Sequence, residues 1–382
     1  MILYLIFYFI AILLYKNDLH TLILISVISH LVLLSYLFEV EFGNVDYYLS
    51  DGYQYINYPE DWIKELDRAA WGYLNYFEKY YDIFGVVFAK FINIPLILVF
   101  NKLLQNLFRE KLLNFNIIFL LPYYFYLGIS NLRDVLIMIV ILVVMLTFNK
   151  KELKYKLISS ISLLLLYVLR PFIAGITFLV ISYYLLKPYL KNNYISRIFY
   201  SSIAIMVIYI FYTIFQTKIL QYSYNFKYYI GEGLQDRVVA RKAEVLGEVN
   251  SYLFWVKAHL RYIFTPMPQS LFLSSFNNEP LNYGLTSRVL RIINQLIYYG
   301  YFVYISLNLP KLLQIYRTLS SPMKSFLLIC FSYLPIYSIL HFGGVHQRTK
   351  LPFQVCIILI GCLIYRLNQT KKSEKTKNSN RH

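Results

Sequence analysis

Apolar runs recur along the chain from Met1 to Tyr365, and polar links separate them. Each run is continuously apolar rather than alternating between apolar and polar positions, which favours membrane-spanning helices over the strands of a barrel. Several runs are shorter than the roughly 20 residues that a spanning helix needs, so we expect their ends to extend into the links. The predicted fold class is all-α, a polytopic membrane protein of about eleven transmembrane helices. The eleven runs lie near residues 1–15, 21–38, 83–100, 112–128, 135–148, 157–169, 172–186, 198–215, 289–309, 325–340 and 352–365.

Lysine and arginine concentrate in every second link and in the tail that follows the last run. By the positive-inside rule these links face the cytoplasm. An odd number of helices then places the N-terminus outside and the C-terminus in the cytoplasm, so we expect a multi-pass protein of the cell inner membrane. The basic residues of this side, before the tail, are Lys16, Lys102, Arg109, Lys111, Lys150, Lys151, Lys154, Lys156, Lys187, Lys191, Arg197, Lys311, Arg317 and Lys324.

Two outer links are long enough to carry structure of their own. The first, residues 39–82, is acidic and aromatic, and the second covers residues 216–288. Within the second, residues 251–273 mix aromatic and basic side chains, which predicts an amphipathic or re-entrant segment at the outer interface beside Arg133 and Arg170. We expect its Trp255, Tyr262 and Phe264 to sit at the level of the headgroups. The chain is predicted to form a single transmembrane domain, residues 1–365, followed by a basic, disordered cytoplasmic tail, residues 366–382.

The amino-acid composition narrows the class of protein further. The chain is 58% hydrophobic and only 15% charged, which excludes an ordinary soluble domain. The net charge of +17 would suggest a nucleic-acid partner in a soluble protein, but here the basic links and tail meet anionic lipid headgroups instead. There is no P-loop, dinucleotide fingerprint or Gly-x-Ser-x-Gly elbow, so ATP-driven transport and serine hydrolysis are disfavoured, and no cofactor is predicted.

The remaining cationic side chains that stand out lie in outer links, which indicates an anionic substrate at that face. In "GISNLRDVLIMIV", Ser130 or Asn131 can cap a helix whose first turn carries Arg133 and Asp134; the alternative is an Arg133–Asp134 pair that only anchors the interface. Arg170 in "YVLRPF" can bind an anion or extend to the headgroups. The full set is Arg133, Arg170, Arg237, Arg241, His259, Arg261, Arg288, His341, His346 and Arg348.

Four pieces of the chain, in order, resemble the Wzy and EpsG-type polymerases of exopolysaccharide and O-antigen repeats. The first outer link contains Asp51 and Tyr55 and ends in "WGYLNYFEKYYDIFG". A span containing proline, "NIIFLLPYYFYLGIS", leads into "NLRDVLIMIVILV", and a large outer link precedes the last helices. "NLRD" departs from the Arg-Gln of the EpsG type, and "LRPF" stands where a histidine is expected. An architecture like that of the GT-C glycosyltransferases is compatible with this pattern.

The resemblance implies a substrate, an undecaprenyl-diphosphate-linked oligosaccharide at the outer face of the inner membrane, used for surface polysaccharide. Arginines bind phosphate oxygens in pairs and can stabilise the leaving diphosphate without a metal. We assign this role first to Arg133, Arg170 and Arg348, then to Arg237, Arg241 and Arg288. A chain-length regulator and a flippase are the implied protein partners. The catalytic candidates for activating the acceptor hydroxyl are His346 and Asp51, followed by His341 and His259.

Other interpretations stay open on the sequence alone. Asp46, Asp51 and Asp61 can hold a magnesium ion, although acidic loops usually face solvent, and no metal is predicted. One alternative function is a membrane glycosyltransferase that uses a polyprenyl-phosphate sugar and a carboxylate in the first outer link. A second is a flippase or transporter for the lipid-linked glycan. Transporters typically carry broken helices and charges near the membrane midplane, where only Lys90 is found here.

Overall fold

Helices account for the fold throughout the part of the chain that the computed structural model describes, and this part contains no strand. It comprises residues 1–42, 66–81, 87–112, 116–187, 252–265, 284–340 and 347–379, with isolated positions between 198 and 213. The helices are α1 Ile2–Leu14, α2 Leu19–Phe42, α3 Leu66–Tyr80, α4 Val87–Lys90, α5 Asn93–Leu112, a 3-10 helix Ile117–Leu120, α6 Tyr123–Ile129, α7 Asp134–Thr147, α8 Leu153–Leu169, α9 Pro171–Leu186, α10 Tyr252–Phe264, α11 Leu285–Ser306, α12 Leu309–Thr318, α13 Ser321–Leu340 and α14 Gln347–Ser379.

The described residues support a helical membrane protein. Three stretches are long and apolar enough to cross a bilayer: Leu19–Phe42, Phe88–Phe108 and Arg348–Thr370. A fourth is present if α6 and α7, which meet at an angle of 115°, form one broken span. The full count of eleven spans stays a prediction.

The chain forms two compact units, each discontinuous in sequence. The first contains Met1–Arg170, Pro268–Lys324 and Val355–His382, and the second contains Pro171–Met267 and Ser325–Gln354. The single transmembrane domain expected for residues 1–365 stays a prediction.

The first unit is built around α5. Nearly every side chain between Phe91 and Phe100 is buried, so this apolar helix packs on all sides rather than through one stripe. It packs against α1, α2, α6 and α7, and α8 in turn packs against α7.

The two ends of the first unit carry different polar groups. Where α1 begins, the buried carboxylate of Glu78 in α3 accepts hydrogen bonds from the backbone N–H groups of Leu3 and Tyr4, at 2.8 and 3.2 Å. Where α1 ends, the Tyr15 hydroxyl donates to the carbonyl of Leu98 and accepts from the side-chain amide of Asn101. These contacts satisfy terminal and buried polar groups that lipid could not hydrogen-bond.

Several predicted boundaries differ in the structure. Residues 112–128 are not one continuous helix, because the 3-10 helix ends at Leu120 and Pro122 precedes the short α6. Neither Ser130 nor Asn131 caps α7, whose N-cap is Arg133, and the Arg133 side chain makes no capping hydrogen bond. α14 continues to Ser379 because no glycine or proline ends it earlier, and the disorder expected for residues 366–382 stays a prediction.

In the second unit, α10 lies within the segment that was expected at the membrane interface. Its 13 residues are about 20 Å long, less than the roughly 30 Å of a bilayer core. The Tyr262 side chain was predicted at the headgroups but is fully buried, because its ring packs edge-on against Phe353 and its hydroxyl donates to the carbonyl of Thr349. The expected position of α10 beside Arg133 and Arg170 stays a prediction.

Candidate functional site

The broken connection between α6 and α7 is fixed by a buried amide. Asn93, at the start of α5, directs its side-chain nitrogen at the carbonyl oxygens of Leu127, Ser130 and Leu132, at 3.0, 2.8 and 2.7 Å. The backbone between the two helices lacks helical hydrogen bonds, and in a buried setting such carbonyls need donors. Asn93 therefore stabilises the irregular backbone that leads into Arg133.

A helix of the first outer link packs at the same break. The indole of Trp71 in α3 is 1% exposed and donates to the carbonyl of Asn131, at 3.3 Å. Asn131, in the break, is thus hydrogen-bonded to a helix other than α6 and α7. Trp71 is the first residue of "WGYLNYFEKYYDIFG", so this stretch of the sequence contributes directly to the site.

Arg133 and Arg170 come together at the ends of α7 and α8. Arg133 is 8% exposed and donates to the carbonyl of Leu169, the last residue of α8, at 2.9 Å. Helix C-termini leave such carbonyls without helical partners, and a cation there also opposes the negative end of the helix dipole. The next residue, Arg170, is extended because Pro171 disfavours the helical conformation before it.

Asp134 forms its ion pair with Arg170 and not with the adjacent Arg133. The carboxylate lies 3.2 Å from the Arg170 guanidinium, and both side chains are partly buried. Successive residues of a helix point in different directions, so the Arg133–Asp134 anchor is not the arrangement found. The group brings together two guanidiniums and one carboxylate. A guanidinium has five N–H donors, so one arginine can bind a backbone carbonyl and phosphate oxygens at the same time.

Arg348 and its neighbour Lys350 lie in the second unit. Lys350 is fully buried, and its ammonium group donates to the carbonyls of Ile263 and, at 2.8 Å, Thr265 at the end of α10. Lys350, two residues after Arg348, therefore has a structural role. Arg348 is half-buried and remains a candidate of the second unit, and His259 on α10 is also half-buried.

Arg288 lies in the first turn of α11 and is 7% exposed. The other predicted residues fall outside the part of the chain that the structure describes. These are Asp51, Arg237, Arg241, His341 and His346, together with the suggested magnesium ligands Asp46 and Asp61.

Sequence reasoning missed the residues that hold the site. Asn93 stands alone in the apolar run "FINIPLILVF", and Trp71 lies within an aromatic stretch. An isolated asparagine in a spanning helix is a usable signal, because it requires a partner. Its three acceptors lie 34 to 39 residues away, so no local pattern could identify them.

Comparison of the chain with protein families, with curated proteins and with solved structures finds no match.

Proposed function

We propose that this protein is a membrane glycosyltransferase that polymerises undecaprenyl-diphosphate-linked oligosaccharide repeats at the outer face of the inner membrane. The observation that carries the proposal is the convergence of Arg133 and Arg170 where α7 begins and α8 ends. Both guanidiniums lie beside non-helical backbone, where a polar headgroup can approach. The motif "NLRD" with its preceding proline-containing run adds the resemblance to the Wzy and EpsG-type enzymes.

The two arginines would bind the diphosphate of the donor. As the glycosidic bond breaks, negative charge grows on the leaving diphosphate, and fixed guanidiniums stabilise that charge more strongly in the transition state than in the bound substrate. The ion pair with Asp134 keeps the Arg170 fork in place. The carbonyl of Leu169 does the same for Arg133.

The acceptor hydroxyl needs a base, for which His346 and Asp51 remain the candidates, with His341 next. Arg348 remains a first-choice candidate for binding diphosphate, and Arg237, Arg241 and Arg288 are second choices. No metal is required, since the arginines supply the positive charge.

The direct test is polymer formation from purified lipid-linked repeat units by the full chain in proteoliposomes. Arg133→Ala and Arg170→Ala should each lower the polymerisation rate by at least about a hundredfold, as is typical when an oxyanion-binding donor is removed. Lys at either position should restore little activity, because an ammonium group cannot bind phosphate oxygens as a planar fork does.

Arg317→Ala is the matched control, since it removes the same charge from an exposed position on α12. It should leave the rate unchanged. Full activity in both the Arg133→Ala and Arg170→Ala proteins would contradict the proposed role of these residues. Activity with a polyprenyl-monophosphate sugar, but not with the diphosphate-linked repeat, would favour the alternative glycosyltransferase.

A second candidate, a flippase for the same glycolipid, is favoured by one observation. The α6–α7 pair is bent by 115° with irregular backbone between the helices, as in transporters whose binding sites lie at discontinuous helices. The two functions predict opposite results in a deletion strain. Single-repeat glycolipid should accumulate at the outer leaflet if the protein is the polymerase and at the inner leaflet if it is the flippase.

A further inference from the structure

α3 has two opposite faces, and one of them packs on the first unit. The buried residues Trp71, Asn75 and Glu78 are spaced by four and three positions, so they lie on this face. Trp71 donates to the carbonyl of Asn131 just before α7, and Glu78 accepts from the backbone where α1 begins. Both contacts are at helix ends that the sequence assigns to the outer side. α3 therefore lies across the predicted outer end of the first unit.

The opposite face of α3 is aromatic and exposed. With 3.6 residues per turn, the exposed side chains of this helix, in the part described, lie opposite the buried face, and all of them are aromatic. Tyr81, the next residue after the helix, is also exposed, and its ring centre lies 4.7 and 5.1 Å from those of Phe77 and Tyr80. The α3 aromatic face consists of Tyr73, Tyr76, Phe77, Tyr80 and Tyr81.

The α3 aromatic face differs from the surface of the same unit that suits lipid tails. Four of its five side chains carry a hydroxyl group, and none is aliphatic. Tyrosine also occurs where spanning helices meet the headgroups. α3, however, lies across the helix ends, so its exposed face is directed away from the bundle rather than sideways toward lipid. By contrast, the exposed large apolar side chains of α8 are all leucine or isoleucine: Leu153, Leu157, Ile158, Ile161, Leu164 and Leu165.

A saccharide chain is the partner whose chemistry fits this face. Sugar rings have apolar C–H faces and hydroxyl groups at their edges, and tyrosine offers an apolar ring to the first and a donor and acceptor to the second. Tyrosine also supplies this contact at a low cost in side-chain entropy, because it has only two rotatable side-chain angles. Tyr73 and Tyr80 are seven residues apart, about 10 Å along the helix, which is longer than a single sugar ring.

The α3 aromatic face is continuous with the site around Arg133. On the buried side of the same helix, Trp71 contacts Asn131, two residues before Arg133. We propose that the α3 aromatic face binds the saccharide chain of the lipid-linked glycan by stacking of tyrosine rings on sugar rings. The identity of this glycan rests on the proposed function. The diphosphate would lie at the arginines, and the sugars would extend from it over α3.

Equilibrium binding of fluorescently labelled oligosaccharides to the full chain in lipid nanodiscs measures this interaction. The probes are repeat-unit oligosaccharides released from the surface polysaccharide of the producing cell, without lipid or diphosphate. Tyr76→Leu/Tyr80→Leu should weaken their binding about tenfold or more, because leucine keeps an apolar surface but has no ring to stack. The matched control is Tyr316→Leu/Tyr365→Leu, which replaces two exposed tyrosines of the predicted cytoplasmic side and should leave the affinity unchanged.

A further variant tests stacking itself. Tyr76→Phe/Tyr80→Phe keeps both rings and removes only their hydroxyl groups, so it should bind the oligosaccharides more tightly than the leucine variant does. An equal loss of affinity in the phenylalanine and leucine variants would overturn stacking as the mode of binding.

The outcomes separate this proposal from the proposed function. Weaker binding in Tyr76→Leu/Tyr80→Leu but not in the control supports the α3 aromatic face, even if the wild type forms no polymer; that result would reject only the glycosyl transfer. Equal affinity of the wild type and the leucine variant, as expected if the face only contacts lipid, would overturn the α3 aromatic face as a glycan site. Absence of binding by the wild type would overturn it equally. Polymer formation by the same wild-type protein would then leave the proposed function intact.

Discussion

At the scale of single residues, the geometry around Arg133 depends most on Asn93. Its side-chain amide contacts one carbonyl near the end of α6 and two in the break between α6 and α7, and the residue itself is fully buried. The carbonyl of Leu127 also accepts from the Ser130 hydroxyl, at 3.3 Å, and the carbonyl of Ser130 also accepts from the backbone N–H of Leu132, at 2.7 Å. The amide therefore adds to these local hydrogen bonds and links the irregular backbone to the start of α5.

Asn93→Leu keeps the side-chain size and removes the donors. We expect the free energy of unfolding to fall by roughly 1–3 kcal/mol, since buried carbonyls lose their hydrogen bonds. Denaturation of the purified protein in mixed micelles measures this change. Ser306→Ala, which removes an exposed hydroxyl bonded within its own helix, should change the value by less than about 0.5 kcal/mol. Equal stabilities of Asn93→Leu and wild type would show that the break does not need the amide.

The sequence identified Arg133 and Arg170 as residues of interest but not how they are held. Charged residues at the ends of apolar runs are visible in any sequence. The partners of both arginines lie 36 residues away, and the adjacent Asp134 was the more obvious partner for Arg133. Only the packing of α7 against α8 determines that Asp134 pairs with Arg170.

At the scale of helices, one close approach joins α11 and α14. A Cβ atom added to Gly361 would lie 2.2 Å from the ring of Tyr301, so the ring packs directly on the glycine backbone. By contrast, an added Cβ at Gly300 would meet nothing within 4 Å. The two glycines allow the effect of packing to be separated from the effect of helix propensity.

Gly361→Ala should lower the free energy of unfolding by about 1–3 kcal/mol, because Tyr301 must move away from a well-packed position. Gly300→Ala should leave stability unchanged or raise it by up to about 1 kcal/mol, since alanine favours the helix. Chemical denaturation of both variants measures the difference. Destabilisation of the two proteins by the same amount would contradict the packing explanation.

The apolar runs predicted where helices lie more accurately than where each helix begins and ends. The separation of α8 from α9 was predicted, because Pro171 interrupts the run at Arg170. The division of residues 112–128 into a 3-10 helix and the short α6 was not predicted. The composition of that run is uniformly apolar, so periodicity could not show where the backbone turns.

At the scale of the whole molecule, the contacts of the first unit agree with the alternation of basic links. α1 begins beside Glu78 of the first outer link and ends beside Asn101. Close to Asn101, the predicted cytoplasmic residue Lys102 lies 3.9 Å from Asp18. α2 begins near Asn116 and ends near Thr286. Residues that were assigned to one side of the membrane thus meet at one end of the unit.

Reporter fusions test the orientation directly. Fusions after Lys154, Tyr194 and Lys372 should report the cytoplasm, and fusions after Asp61 and Glu244 should report the outside, as the positive-inside rule requires. Alkaline phosphatase and a fluorescent protein provide complementary signals. Reversal of either group would place the arginines on the face opposite to a lipid-linked glycan.

The hydrogen bonds from Lys350 to the end of α10 can form only after the ribosome has synthesised Lys350. The two residues it joins, Thr265 and Lys350, are 85 positions apart in the chain. At the roughly 5–20 residues per second of translation, a ribosome reaches Lys350 about 4–17 seconds after Thr265. During that interval the last carbonyls of α10 lack the lysine that holds them in the finished protein. A nascent chain released before codon 350 should therefore leave α10 undocked and open to the proteases that clear incomplete membrane proteins.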